Sequence, residues 1–194
     1  MRVFKATNKN MECHMGRGTF RYKLGTPAFA DGSKCGREGL HACENVVDCL
    51  GYYSLTGENR FFVAEAEGDI AEDGANTRIA CTRLTLLKEL SHREIAGETM
   101  LFMAKHPKRE NWKAQGNGYM VAEEEAYTDV EDGFAIARGE NPRVKGVKGA
   151  HLGLIRESNG EMVDAKLFTV DGVKVKADIW YTIENRMIKE AMGE

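Results

Sequence analysis

The residues of this chain best equipped for chemistry gather in its first half. His41 stands in the run Gly39-Leu40-His41-Ala42-Cys43, with Tyr52 and Tyr53 a short segment further on. An imidazole, with an ordinary pKa near ~6.5, can act as a general base, a ligand contact or a metal ligand. The alternative is a ring held by backbone carbonyls between a strand and a helix. Tyr52 and Tyr53 offer faces on which a base or a nicotinamide ring stacks, or they pack with one wet hydroxyl. Glu65 and Glu67 share one face of an alternating segment, as a carboxylate pair or as a solvated surface.

Sulfur adds a second possibility. The chain has five cysteines, Cys13, Cys35, Cys43, Cys49 and Cys81. An odd count without an apolar leader in MRVFKATNKN reads as free thiols and not as a disulfide framework. Cys13, Cys35, His41 and Cys43 are zinc-type ligands in type, but the paired Cys-x-x-Cys knuckles are missing, and ordinary core thiols are the alternative. No metal is therefore assigned.

Composition narrows the partners. Of 194 residues, 29% are charged and 42% hydrophobic, which is the profile of a globular chain. The net charge of −3 excludes a strong field for nucleic acid or for an anionic membrane surface. No apolar run approaches the ~20 residues of a membrane span. The acidic stretch Glu123-Glu124-Glu125 with Asp129, Glu131 and Asp132 is balanced by Arg138, Arg143, Lys145 and Lys148, so it reads as a solvated surface.

The elements that must position these groups follow from periodicity. Arg2–Thr7 and Thr19–Leu24 read as strands joined through Met15–Gly18, and Leu40–Cys43 as a short strand. Val46, Val47, Leu50 and Tyr53 predict a helix over Glu44–Tyr53. Alternation predicts strands over Arg60–Gly68 and Thr77–Leu87. Ser91-His-Arg-Glu94 is a capping box that opens a helix reaching Ala104. The basic stretch Lys105–Lys113 is the expected seam. Beyond it, glycines punctuate short apolar pieces, with Val130, Ala137 and Val144 evenly spaced, which predicts stacked short strands or a meander. Asp171-Gly172 predicts a hairpin over Leu167–Lys176, and Asn185-Arg186 turns a second one, Ile179–Ile183 with Met187–Ile188, which Trp180 packs onto the layer before it. The expected fold class is α+β. A lobe of residues 1–112 carries a mixed sheet and two helices, and a lobe of residues 113–194 is Gly-rich and all-β, solenoid-like or a meander.

The stretch GREGLHACENVVDCLGYY, residues 36–53, with Val63-Ala-Glu65-Ala-Glu67-Gly68 and the closing Val170-Asp-Gly-Val-Lys-Val-Lys-Ala-Asp-Ile-Trp-Tyr181, resembles a bacteriophage- and prophage-associated protein family of unknown function. That resemblance implies an accessory protein of the host cytosol. A second, looser one joins Val3-Phe4-Lys5-Ala6-Thr7, Gly39-Leu40-His41-Ala42 and Phe62–Gly68 to the opening of ADP-ribosyltransferase domains. It implies NAD as the cofactor, Lys5 and His41 in the ligand-holding places, and an acid among Glu65, Glu67 and Glu89. Lysine there departs from the arginine of the pattern and lacks its bidentate reach.

The expected function is therefore binding of a host protein or a small nucleotide signal, countering a host defence system, with His41, Tyr52 and Tyr53 as ligand contacts. The alternatives are an NAD-dependent ADP-ribosyltransferase-like enzyme using Lys5, His41, Glu65 and Glu67, and a virion-associated structural module that self-associates.

Overall fold

The computed structural model describes residues 1–14, 18–72, 74 and 76–191, and the chain divides into two compact units, Met1–Ser91 and His92–Glu194. Of the expected Met15–Gly18 connection, only Gly18 lies among the described residues.

The first unit is built from strands β1 (Arg2–Thr7), β2 (Glu12–His14), β3 (Thr19–Arg21), β4 (Pro27–Phe29), β5 (Leu40–Cys43), β6 (Arg60–Glu72) and β7 (Arg78–Leu90). Its main sheet runs β4-β7-β5-β1-β6, every pair antiparallel, and β6 also pairs with β7, so the sheet closes on itself. β2 and β3 form a separate hairpin. Val3, Leu40, Phe62, Ile79, Leu84 and Leu86, all fully buried, fill the interior. β6 runs on past Gly68, where the sequence reading ended it. At φ 77° this glycine forms a bulge, and pairing with β7 resumes at Ile70.

The expected α+β class is corrected by these elements. Strand accounts for 53% of the structure and helix for 11%, so the protein is mostly β. The first-unit sheet is antiparallel and not mixed. Where a helix was expected over Glu44–Tyr53, there is one short 3₁₀ helix, Val46–Gly51. Two β-branched residues at its start and a glycine at its end leave too little for an α-helix. Asn45 caps it, its Oδ1 accepting from the Val47 amide at 3.3 Å.

The second unit opens with helix α1 (His92–Lys105), which packs on strands β10 (Phe134–Gly146), β11 (His151–Ser158) and β12 (Glu161–Thr169). β8 (Ala114–Gly116) and β9 (Tyr119–Thr128) precede these, and β13 (Tyr181–Glu184) and β14 (Met187–Glu190) close the chain. β9, β10 and β11 are parallel neighbours, with Phe134 beside Tyr119 on one side and His151 on the other. Only a few residues separate consecutive strands, so the chain coils, each turn lying on the one before. The Glu124 carboxylate braces a corner by accepting from the Glu140 and Asn141 amides, both at 2.9 Å.

The hairpin expected at Asp171-Gly172 does not form. β12 ends at Thr169, and the Asp171 carboxylate accepts from the amides of Val173, Lys174 and Val175 at 2.7 to 2.9 Å. A short acidic side chain thereby takes amides that a ladder would need. These bonds, that of Val175 first, hold its carboxyl below the usual carboxylate range. The second hairpin is present as β13 and β14, turning through Asn185 (φ 51°) and Arg186 (φ 62°). Arg143 and Lys145 stand over the Trp180 ring at 5.6 and 4.9 Å. No helix among the described residues is long and apolar enough to cross a membrane.

Candidate functional site

β1 and β5 are registered only at Phe4↔Cys43, and beyond that pair the two strands diverge. Separated strands leave carbonyls without ladder partners, and buried carbonyls need donors. Side chains supply them. The Cys13 thiol donates to the Ala6 carbonyl (3.3 Å), the Cys49 thiol to that of Phe4 (3.5 Å), and Lys5 Nζ to that of His41 (2.6 Å). The split opens into a cleft of about 450 Å³. Its wall includes Lys5, Cys13, Tyr22, His41, Tyr52 and Tyr53, and the loop Gly36–Gly39 and Arg78 complete it.

The structure thus brings together four residues singled out from sequence: Lys5, His41, Tyr52 and Tyr53. Lys5 is 8% exposed, because it shares the inward face of β1 with Val3. Its ammonium lies 5.4 Å from the Tyr22 ring centroid, and among the described residues no carboxylate lies within ion-pairing distance of it. His41 faces the loop. Its Nε2 accepts from the Gly36 amide at 2.8 Å, so that nitrogen carries no proton and the ring is neutral. On this side the ring is held by a backbone donor. Two further tethers fix the loop, Ser33 Oγ to Asp69 Oδ2 (2.6 Å) and the Cys35 thiol to the Arg78 carbonyl (3.6 Å).

The aromatic edge of the cleft is Tyr52, 52% exposed, with Arg78 over its ring at 5.9 Å. Arg78 Nη1 and Asn76 Nδ2 both donate to its hydroxyl at 3.3 Å, which fixes the ring plane. Tyr53 sits deeper; burial first, and then a hydrogen bond with Cys13, push its hydroxyl well above the usual phenol range. Burial does the same to Tyr22. The hydrogen bond with Cys43, and then burial, push the Cys49 thiol well up. The charged side chains on the cleft wall include Lys5, Arg37, Arg78 and Glu38.

Glu65 and Glu67 do not line the cleft. Glu65 is exposed on β6, and Glu67 pairs with Arg83 at 3.3 Å. Glu89, the third acid considered, pairs with Arg60 at 2.6 Å. Among the described residues, no three His, Cys, Asp or Glu side chains are placed to hold a metal ion. Arg78, Arg37 and Tyr22 escaped the sequence reading. The register Cys43↔Arg78, which carries Arg78 to the cleft, is a long-range pairing with no local signature.

No curated protein and no solved structure matches the chain. Residues 1–98, which include every residue that lines the cleft, match a family model described as a domain of unknown function, DUF7666, and the chain belongs to that family.

Proposed function

We propose that the protein acts by binding, and that its ligand is a small nucleotide-class molecule held in the cleft between β1 and β5. The observation that carries this reading is the convergence of Lys5, Arg37 and Arg78 with the presented face of Tyr52 around one cavity of about 450 Å³. That volume suits a small ligand, and a few polar groups set in an aromatic and apolar wall suit a ligand with both a ring and a charge. A host protein as partner is less well supported, because these groups converge inward. In the phage or prophage setting that the resemblance implies, sequestering a nucleotide signal would blunt a host defence response in the cytosol. The ADP-ribosyltransferase-like alternative needs an acid at the reacting ribose. Glu65, Glu67 and Glu89 all stand elsewhere, so binding without turnover is the better supported reading.

The test is a thermal-shift screen of the full chain against NAD, cyclic mononucleotides, cyclic dinucleotides and linear nucleotides, followed by calorimetry on any hit. One compound class is expected to bind one per chain, adding about 2.7 kcal/mol of stability at a hundredfold excess over Kd. Tyr52→Ala is expected to weaken that binding roughly tenfold or more, the worth of one stacked ring. A protein unmoved by every nucleotide, with a host protein captured through a surface outside the cleft, would sink the proposal.

A further inference from the structure

We infer that Lys5 is the anchor for an anionic group on the ligand, a phosphate, and that the cleft discriminates against the same ligand without its charge. This rests on reading the cleft as a ligand site, and deepens it. An ammonium has three donors. Lys5 spends one on the His41 carbonyl at 2.6 Å and turns toward the face of Tyr22. At 8% exposure it is cut off from most of the water that would solvate it, and no described carboxylate lies within ion-pairing distance of it. Burying a cation without a counter-ion is strongly unfavourable, so a chain that does so leaves a place where an arriving anion gains more than it would in water.

The surroundings favour an anion from outside over a counter-ion from within. The thiols of Cys13 and Cys49 are occupied on the Ala6 and Phe4 carbonyls. The nearby Tyr53 and Cys49 are held protonated, so neither supplies the missing negative charge. The one carboxylate lining the cleft is Glu38, exposed on the loop. The ladder of β1 and β5 is registered only at Phe4↔Cys43, and Lys5, the next residue of β1, lines the cleft. Arg37, on the same loop, provides a second positive group for a doubly charged phosphate.

The experiment compares three probes on the full chain: adenosine, AMP and inorganic phosphate, each with the wild type, Lys5→Met and Lys5→Gln. In the wild type, AMP is expected to bind at least about tenfold tighter than adenosine, as a hydrogen bond to a charged group warrants. Lys5→Met is expected to bring AMP down to the adenosine level while leaving adenosine within about twofold. Lys5→Gln keeps a donor for the His41 carbonyl, and it should show the same loss if the methionine variant does not fold. Equal affinity for AMP and adenosine in the wild type would overturn the anchor and leave the nucleotide reading standing. Equal weakening of both compounds by Lys5→Gln would assign Lys5 to structure and also overturn the anchor. A response to phosphate that requires Lys5, with no added gain from the nucleoside, would keep the anchor and overturn the nucleotide reading. Silence with all three probes would overturn both.

Discussion

His41 lines the cleft and also ties its parts together. Its carbonyl takes the Lys5 ammonium and its ring takes the Gly36 amide, so one residue holds both the anchor and the loop opposite. Under the proposed reading these two bonds make it a positioning residue, beside its place on the cleft wall. His41→Ala frees that amide, and the expected cost is about 1 kcal/mol of stability with faster amide exchange at Gly36. Nucleotide binding should weaken in step with the loop. His41→Gln offers an acceptor of similar reach and should restore part of the exchange protection, whereas a direct ligand contact would not be rescued this way. The buried thiols and phenols carry a prediction about pH. Cys49, Tyr53 and Tyr22 have their ionisation raised in the folded state, so their contribution is complete below their ordinary values and fades as pH rises through them. Melting followed from pH 7 to about 10.5 should show a flat neutral range and then a fall that starts near the ordinary thiol value, on the order of 2 kcal/mol by the upper end. Cys49→Ala should reduce the fall; an unchanged fall would show that this thiol ionises without resistance.

At the level of elements, both units depend on backbone groups satisfied by side chains where ladders stop. In the first unit this happens along the open seam of β1 and β5, and the gap it leaves is the cleft. In the second unit it happens at the corner of the coil, where Glu124, itself at φ 61°, receives two amides of the next turn. Glu124→Ala strands both amides, although partial access to water softens the effect. A loss of about 1–2 kcal/mol is expected, read as a lower urea midpoint with an unchanged slope. Loss of less than a few tenths would mean that the flanking strands hold the corner unaided. The edges of the coil are covered by antiparallel strands, β8 on β9 and β12 on β11, which keeps open ladders off the outside.

For the molecule as a whole, a net charge of −3 leaves no long-range attraction for an anionic ligand, so recognition has to be local and buried. That agrees with an anchor inside the first unit. What the sequence determined by itself was what depends on near neighbours. The strands expected at Arg2–Thr7 and Leu40–Cys43 stand at their observed bounds, the capping box at Ser91 marked the start of α1, and Asn185-Arg186 marked the closing turn. Those signals are local because side-chain direction and turn geometry are set within a few residues. The α+β class failed because the apolar spacing in Glu44–Tyr53 is compatible with a helix, and only packing against β1 and β5 shows how short that helix is. Asp-Gly failed because a carboxylate competed for the amides of the turn. The cleft lay beyond any local reading. Lys5 and His41 meet because β1 and β5 pair once and then part. Lys5 is buried because β6 returns to β7 and turns one face of β1 into an interior. Alternation places Lys5 on the face of Val3, but only closure of the sheet decides that this face is buried.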